Sequence, residues 1–290
     1  MIRMVNDQTV GGLRYGKGSI VDFDSAIETQ LITVGDAEAA NLDATHPYYH
    51  FHGFAGDQIA GDALFFDKAA GNHAVPGVHL SNADLWATEG YASTIDPASG
   101  LTDSVLRIPP INFDYSAGEK LIVWMLGKWT PEGGDVGMIG DGSSTSLPGW
   151  QIRVRADGKV QPVLYGTASG FGASSRIKPF DGTLKDFGVV FDGQNKKYCI
   201  WVNGSVDEAF ESRYLTFFSG AEFNTKTTNT VNIGAASAAP GGTVGIATAV
   251  RACVILRLPA SYAVPPLTSI TAAFRQLRAN PGKLLLARSL

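Results

Sequence analysis

The chain has 290 residues, 44% hydrophobic and only 17% charged, with 34 glycines and 10% aromatics, a composition that suits short strands joined by many turns and excludes a helical bundle. A net charge of −4 with no Lys/Arg cluster excludes a phosphate-tracking nucleic-acid surface. No run approaches the roughly 18 apolar residues of a membrane span, and the opening MIRMVNDQTVGG has no apolar export core, so neither membrane insertion nor a cleaved signal is expected.

Residues 1–45 differ in texture from the rest. GSIVDF predicts a short strand, and in SAIETQLITVGDAEAA Asp24 or Ser25 is placed to cap a helix, with Glu28 near its third position and Gly35 just past its end. Ile27, Leu31 and Ile32 form a narrow apolar stripe, enough to dock on something larger but not to fold alone.

From His46 onward the pattern changes to strands. ALFFD (63–67) and SVLRIPP (104–110) are candidate strands, separated by a turn-rich insert long enough to be functional or an interaction arm. LIVWMLGKW (121–129) is apolar on both faces, as a strand covered on both sides must be. QIRVRA (151–156) alternates, with Ile152 and Val154 inward and Gln151, Arg153 and Arg155 outward. In DFGVVF one face carries Phe187, Val189 and Phe191, and in KYCIWVNG one face carries Tyr198, Ile200 and Val202. The pairs Asp157-Gly158 and Asn203-Gly204 supply the positive φ angles of tight turns. TVNIGA (230–235) and AVRACVILRLP (249–259) add strands. Ser269 is placed to cap a helix whose stripe is Ile270, Ala273, Phe274 and Leu277, stopped by Asn280-Pro281-Gly282, and KLLLARSL reads as a last strand or tail. Cys199 and Cys253 fall in separate strands and are read as reduced core residues. The fold class expected is all-β: an antiparallel two-sheet jelly-roll sandwich over 46–290, with a short α/β segment at 1–45 and one peripheral C-terminal helix.

The order GDALFFD, SVLRIPP, FDYSAGEKLIVWML, GWQIRVRADGKV, DFGVVFDGQNKKYCIWVNG, VNIGAA resembles the concanavalin A-like lectin/glucanase fold in its laminin-G/pentraxin branch. The likeness spans about residues 61–260 and is sharpest at VVFDG…KKYCIWVNG. It implies a jelly roll but no activity, since that fold carries lectins, hydrolases, adhesion modules and inert structural domains. The N-terminal GSIVDFDSAIETQLITVGDAEAA, with its LI-x-x-G-x-A-E ending, is similar to a segment of small virion proteins of tailed bacteriophages. That similarity implies a virion component joined to other virion proteins through residues 1–45, as a homo-oligomer.

Candidate sites follow from residue chemistry. Retaining glycosidases of this fold use two carboxylates about 5–5.5 Å apart, in a pattern like E-x-D-x-x-E. The chain has none; its nearest same-face pair, Asp22 and Asp24, lies outside the sandwich, and Asp207, Glu208 and Glu211 read as loop charges. G-x-S-x-G, H-E-x-x-H and C-x-x-C are absent too, so no catalytic residue and no obligatory cofactor is expected. All five histidines lie between His46 and His79. In an extended strand His50 and His52 share one side about 7 Å apart, a spacing that serves a transition metal or simply a polar aromatic interface. Calcium, the usual ion of lectin relatives, would fall to Asp135 and Asp141 in the loop after Thr130, where aspartates beside glycines also act as turn formers. Trp86, Tyr91, Trp129 and Trp150 lie in or beside loops and are the candidates to stack on a sugar ring, against burial in the core. The function expected is a non-enzymatic structural or adhesive virion protein, a fibre, decoration or receptor-binding subunit with host surface glycans as ligands. The alternatives are a bacterial carbohydrate-binding module and a divergent glycoside hydrolase.

Overall fold

The structure, a computed structural model, describes residues 2–10, 13–15, 20–21, 25–39, 48–52, 75–76, 86–87, 90–93, 106–108, 110–129, 136–142, 148–166, 170–172, 174, 178, 180–208, 229, 231–233 and 248–279. The candidate strand 63–67 and the tail 283–290 lie outside these residues.

Six elements come first: β1 (Ile2–Met4), β2 (Gln8–Val10), β3 (Leu13–Tyr15), β4 (Ile20–Val21), α1 (Ser25–Thr33) and β5 (Ala37–Ala39). β1 pairs with β4 and β5 in a small antiparallel sheet, and β2 with β3 in a separate hairpin. Helix α1 ends as its sequence predicts: Gly35 takes φ 79°, and its N–H and that of Asp36 donate to the carbonyls of Ile32 and Leu31. Ile2, Met4, Leu31 and Ala37 form a small core with Val10 and Ile27 against it. Ile32, expected in the buried stripe, is 43% exposed, because the helix turns it away from the sheet.

The remaining strands are β6 (Tyr48–His52), β7 (Val75–Pro76), β8 (Trp86–Ala87), β9 (Gly90–Ser93), β10 (Leu106–Ile108), β11 (Lys120–Trp129) and β12 (Val136–Gly140). Then come β13 (Gly149–Val154), β14 (Val160–Tyr165), β15 (Gly170–Gly172), β16 (Leu184–Asp192), β17 (Lys197–Val202), β18 (Ser205–Glu208), β19 (Val231–Ile233) and β20 (Thr248–Leu258), followed by helix α2 (Leu267–Ala279). Asp207 and Glu208, expected in a loop, lie in β18. Seven strands form one sheet in the order β15-β14-β13-β12-β19-β10-β7, and eight form the other, β18-β17-β16-β11-β20-β9-β8 with β6 also on β20. All neighbouring strands described within them are antiparallel, giving the two-sheet jelly-roll sandwich expected.

Strand phase decides which side chains meet. Leu121, Val123, Met125 and Trp129 of β11 face the seven-stranded sheet, together with Phe187, Val189 and Phe191 of β16 and Tyr198, Ile200 and Val202 of β17. Their alternates, Ile122, Trp124, Leu126, Val190, Cys199 and Trp201, face the other way, under Ile270, Phe274 and Leu277 of α2. So β11 is apolar on both faces because both are covered. Cys253 belongs to the inner cluster and Cys199 to the outer one, and both are free thiols.

The helix that closes the outer cluster starts at Leu267, not at Ser269. Pro265 and Pro266 precede it, and the Pro266 carbonyl accepts the N–H groups of Ser269 and Ile270 at 2.9 and 3.1 Å. Its seat is prepared by Gly188, where a Cβ would stand 2.3 Å from the Phe274 ring. Trp201 Nε1 donates to Thr271 Oγ1 at 2.8 Å and Arg275 Nε to the Gly204 carbonyl at 2.8 Å. The turn glycines fall where the sequence puts them: Gly158 at φ 82°, and Asn203-Gly204 at 52° and 70° as a two-residue hairpin between β17 and β18. Among the described residues no helix is long and apolar enough to cross a membrane.

Candidate functional site

The aromatic candidates divide sharply. Trp129 and Trp150 are both buried between the sheets, so neither offers a ring face to a ligand. Trp129 packs edge-on against Phe180 and Phe187 with ring centres 5.0 and 5.4 Å away, and Trp150 stands 6.4 Å from Phe191. The cause is phase: Trp150 shares its strand face with Ile152 and Val154, and Trp129 with Leu121, Val123 and Met125. Trp86 and Tyr91 are brought opposite each other across the β8–β9 hairpin, while their side chains lie outside the described residues.

Of the metal candidates, His50 and His52 stand two apart in β6, in register with Val254 and Ala252 of β20; their side chains also lie outside the described residues, as does Asp135 altogether. Asp141 is buried and shapes a turn. Its Oδ1 accepts the Trp150 N–H at 2.9 Å, its carbonyl accepts Asn229 Nδ2 at 3.0 Å, and a Cβ on Gly149 (φ 152°) would come within 2.4 Å of that Oδ1. Asp141 thus shapes a turn. Among the described residues no group of three or more His, Cys, Asp or Glu stands close enough to hold a metal ion.

What the strands do assemble is a polar face on the outside of the seven-stranded sheet. Ile139, Trp150, Ile152, Val154, Val160, Leu164, Val231 and Ile233 point into the core, so the residues alternating with them share the opposite face. Register strings one row across it: Gly172, Val163, Gln151, Gly140, Asn232, Arg107 and Val75. A second row holds Gln161, Arg153 and Gly137, and a third Gly170, Tyr165 and Gly149. With strands about 4.8 Å apart, Gln151 and Arg107 are three strands, or about 14 Å, from each other.

None of these positions is an Asp or Glu. The polar groups whose side chains are described are amides, the Arg153 guanidinium and one phenol, with glycines between them. Gln151, Gln161 and Asn232 are buried although they face away from the core, and Arg153 and Tyr165 are half-buried. Buried polar side chains outside a core are the informative case, since burial costs free energy unless hydrogen bonds replace water. Here the bonds form a chain. Gln161 Nε2 donates to the Gly172 carbonyl at 3.1 Å, which turns Gln161 Oε1 toward Arg153, whose Nε donates to it at 2.7 Å. Amide and guanidinium groups together supply donors and acceptors at fixed positions, as a ligand rich in neighbouring hydroxyls requires.

The two outer faces of the sandwich therefore differ. That of the eight-stranded sheet is apolar and lies under α2, whereas that of the seven-stranded sheet is polar, and among the described residues no helix lies on it. Gln151 and Arg153 were legible as outward residues from alternation alone. Asn232, Gly140 and Gln161 were missed as partners because their alignment depends on strand order, which alternation does not contain.

No protein-family model matches the sequence, and no curated protein sequence matches it. Among solved structures, the receptor-binding domain of botulinum neurotoxin mosaic serotype C/D is similar at 9% identity and TM-score 0.48, over 79% of this chain and 50% of that one. A Trypanosoma rangeli sialidase is similar at 13% identity and TM-score 0.45, over 84% of this chain and 34% of the sialidase. The CBM40 of Ruminococcus gnavus IT-sialidase, bound to α2,3 sialyllactose, is similar at 14% identity and TM-score 0.38, over 52% of this chain and 88% of that one. The chain thus spans half or less of the first two, and the strand order and polar rows described above stand without any of the three.

Proposed function

We propose that the chain is a non-enzymatic adhesive protein of a tailed-phage particle, which binds glycans on the outer face of its seven-stranded sheet and joins other virion proteins through residues 1–45. The observation that carries the glycan part is the polar character of that face: half-buried Arg153, held by Gln161 Oε1, and half-buried Tyr165 stand on it, backed by the buried amides of Gln151, Gln161 and Asn232. Hydrogen-bonding groups on rigid strands beside an aromatic ring are what recognition of a sugar uses. Hydrolysis would need a pair of carboxylates on this face. Every register position named there is something else, which supports binding without turnover.

The phage reading rests on the LI-x-x-G-x-A-E segment, which the fold sets in an element group with its own small core. A bacterial carbohydrate-binding module would use the same polar face, and the two readings part on one observation. Purified phage particles containing the protein, together with a positive glycan array, support the proposal in full. Glycan binding by a protein found only with bacterial enzymes or cell surfaces supports the module. Release of reducing ends from any bound glycan removes the non-enzymatic reading.

A further inference from the structure

We infer that Asn203-Gly204, the single Asn-Gly pair of the chain, is a deamidation site that helix α2 holds shut, so that Asn203 converts to aspartate or isoaspartate when α2 lifts. Asn-Gly is the dipeptide in which this chemistry is least hindered, because glycine puts no side chain beside the attacking nitrogen. The Gly204 nitrogen loses its proton and attacks Asn203 Cγ; a new N–C bond closes a succinimide ring, and Nδ2 leaves as ammonia. Water then opens the ring at one of its two carbonyls, giving aspartate or isoaspartate. Water is the only co-reactant.

The residues that must move are clamped from two sides. The Gly204 N–H donates to Asp186 Oδ2 at 3.1 Å, so the proton it has to lose is engaged and the nitrogen is held. The Asn203 N–H donates to the Asp186 carbonyl at 2.9 Å. From the other side, the Gly204 carbonyl accepts Arg275 Nε at 2.8 Å, and a Cβ on Gly204 would stand 3.0 Å from Arg275 Cγ, so α2 rests directly on this glycine. Arg278, one turn further along α2, reaches Asp186 Oδ1 at 3.1 Å and ties the second arm of the clamp to the same helix. Closing the ring requires rotation about the Cα–C bond of Asn203, which breaks both hydrogen bonds of Gly204. The φ angles of 52° and 70° belong to the closed hairpin that these bonds hold. Conversion is one-way. Aspartate brings a second carboxylate next to fully buried Asp186, and isoaspartate adds a backbone atom to a two-residue turn; both disfavour the return of α2.

The test incubates the full-length protein and follows its tryptic peptide 198–213 by chromatography and mass spectrometry, which resolve asparagine, aspartate and isoaspartate at 203. The expected result is conversion at least about ten-fold slower in the native protein than in the denaturant-unfolded chain, because only the open fraction reacts. Arg275→Ala removes one arm of the clamp, and Gly188→Ala presses on Phe274 without touching the turn. Each should speed conversion about ten-fold over the native wild type while a cooperative melt persists, and acceleration in either supports the inference. Lys159→Gln, on the turn before β14, should stay at the wild-type rate. Equal rates in native and unfolded chains overturn the inference. So does protection that neither variant weakens, since the guard is then the hairpin itself, and so does acceleration in all three variants, which reports general loosening. Should Arg275→Ala and Gly188→Ala both lose their melt, a denaturant series on the unmodified protein decides. Conversion that rises ahead of the global transition supports the opening of α2, and conversion that only follows the transition overturns it.

Discussion

Asp186 is fully buried on β16, on the face of the sheet that α2 covers, with its Oδ2 accepting the Gly204 N–H at 3.1 Å and the Trp124 indole N–H at 3.3 Å, and the Arg278 guanidinium 3.1 Å from its Oδ1. Burial raises its pKa above the usual 3.8, and the Arg278 charge and the two N–H donors only partly offset this. At a pH between the two pKa values the folded protein therefore holds a proton at Asp186 that the unfolded chain has already released. Its contribution to stability must grow as pH falls through the raised pKa and level off below about 3.8. Comparing urea unfolding of the wild type and Asp186→Asn from neutral pH to pH about 4, the wild type should gain on the variant as pH drops. A difference that shrinks instead would mean that Arg278 outweighs burial. At this scale the sequence was partly legible. Asp141 beside Gly142 was legible as a turn former, whereas Trp150, read from its place beside a loop as a ring to stack on a sugar, lies in the core in phase with Ile152 and Val154, because β13 already begins at Gly149.

Elements were easier to read than their alignment. The Asp157-Gly158 and Asn203-Gly204 turns, the two-faced β11 and the stripe of α2 each follow from local chemistry, namely a left-handed φ, a continuous apolar run and a period of 3.6. The polar rows do not, since Gly140 meets Asn232 only because β19, almost a hundred positions on, inserts beside β12. Helix α2 depends on a feature of the opposite kind, a missing side chain. Gly188 sits opposite Trp124 in β11, and the Phe274 ring fills the space above it. A methyl group there would stand 2.3 Å from ring carbon Cε2, with ordinary contact starting well over an ångström further out. Gly188→Ala should thus lift α2 and destabilise the protein by about 1–3 kcal/mol, as overpacking does. Adding Phe274→Leu should recover part of the loss in the same denaturant melt; equal stability of Gly188→Ala and wild type would show that the helix can slide without cost.

At the scale of the molecule, the sandwich and the N-terminal elements differ in how much core they own. The sandwich has two large buried clusters, one between its sheets and one under α2. Among the described residues of the N-terminal elements, Ile2, Met4, Leu31 and Ala37 are buried together, with Val10 and Ile27 beside them, while Ile32 is 43% and Val34 61% exposed. Burying each larger aliphatic side chain contributes about 1.5–3 kcal/mol, so this small core supplies on the order of 10 kcal/mol. That is enough to dock the segment but not to order it alone. Such a unit takes its order from something it packs on, and exposed Ile32 and Val34 are the apolar contacts it has left to make. On the proposed virion role, that something is another particle component or a sister subunit. Deleting residues 1–45 should then leave a sandwich that melts at close to the full-length temperature and retains its glycan binding, but no longer incorporates into particles when supplied to a phage lacking the intact protein. A truncated chain that fails to fold would instead make residues 1–45 part of the sandwich core, and one that folds and still incorporates would move the attachment surface elsewhere on the molecule.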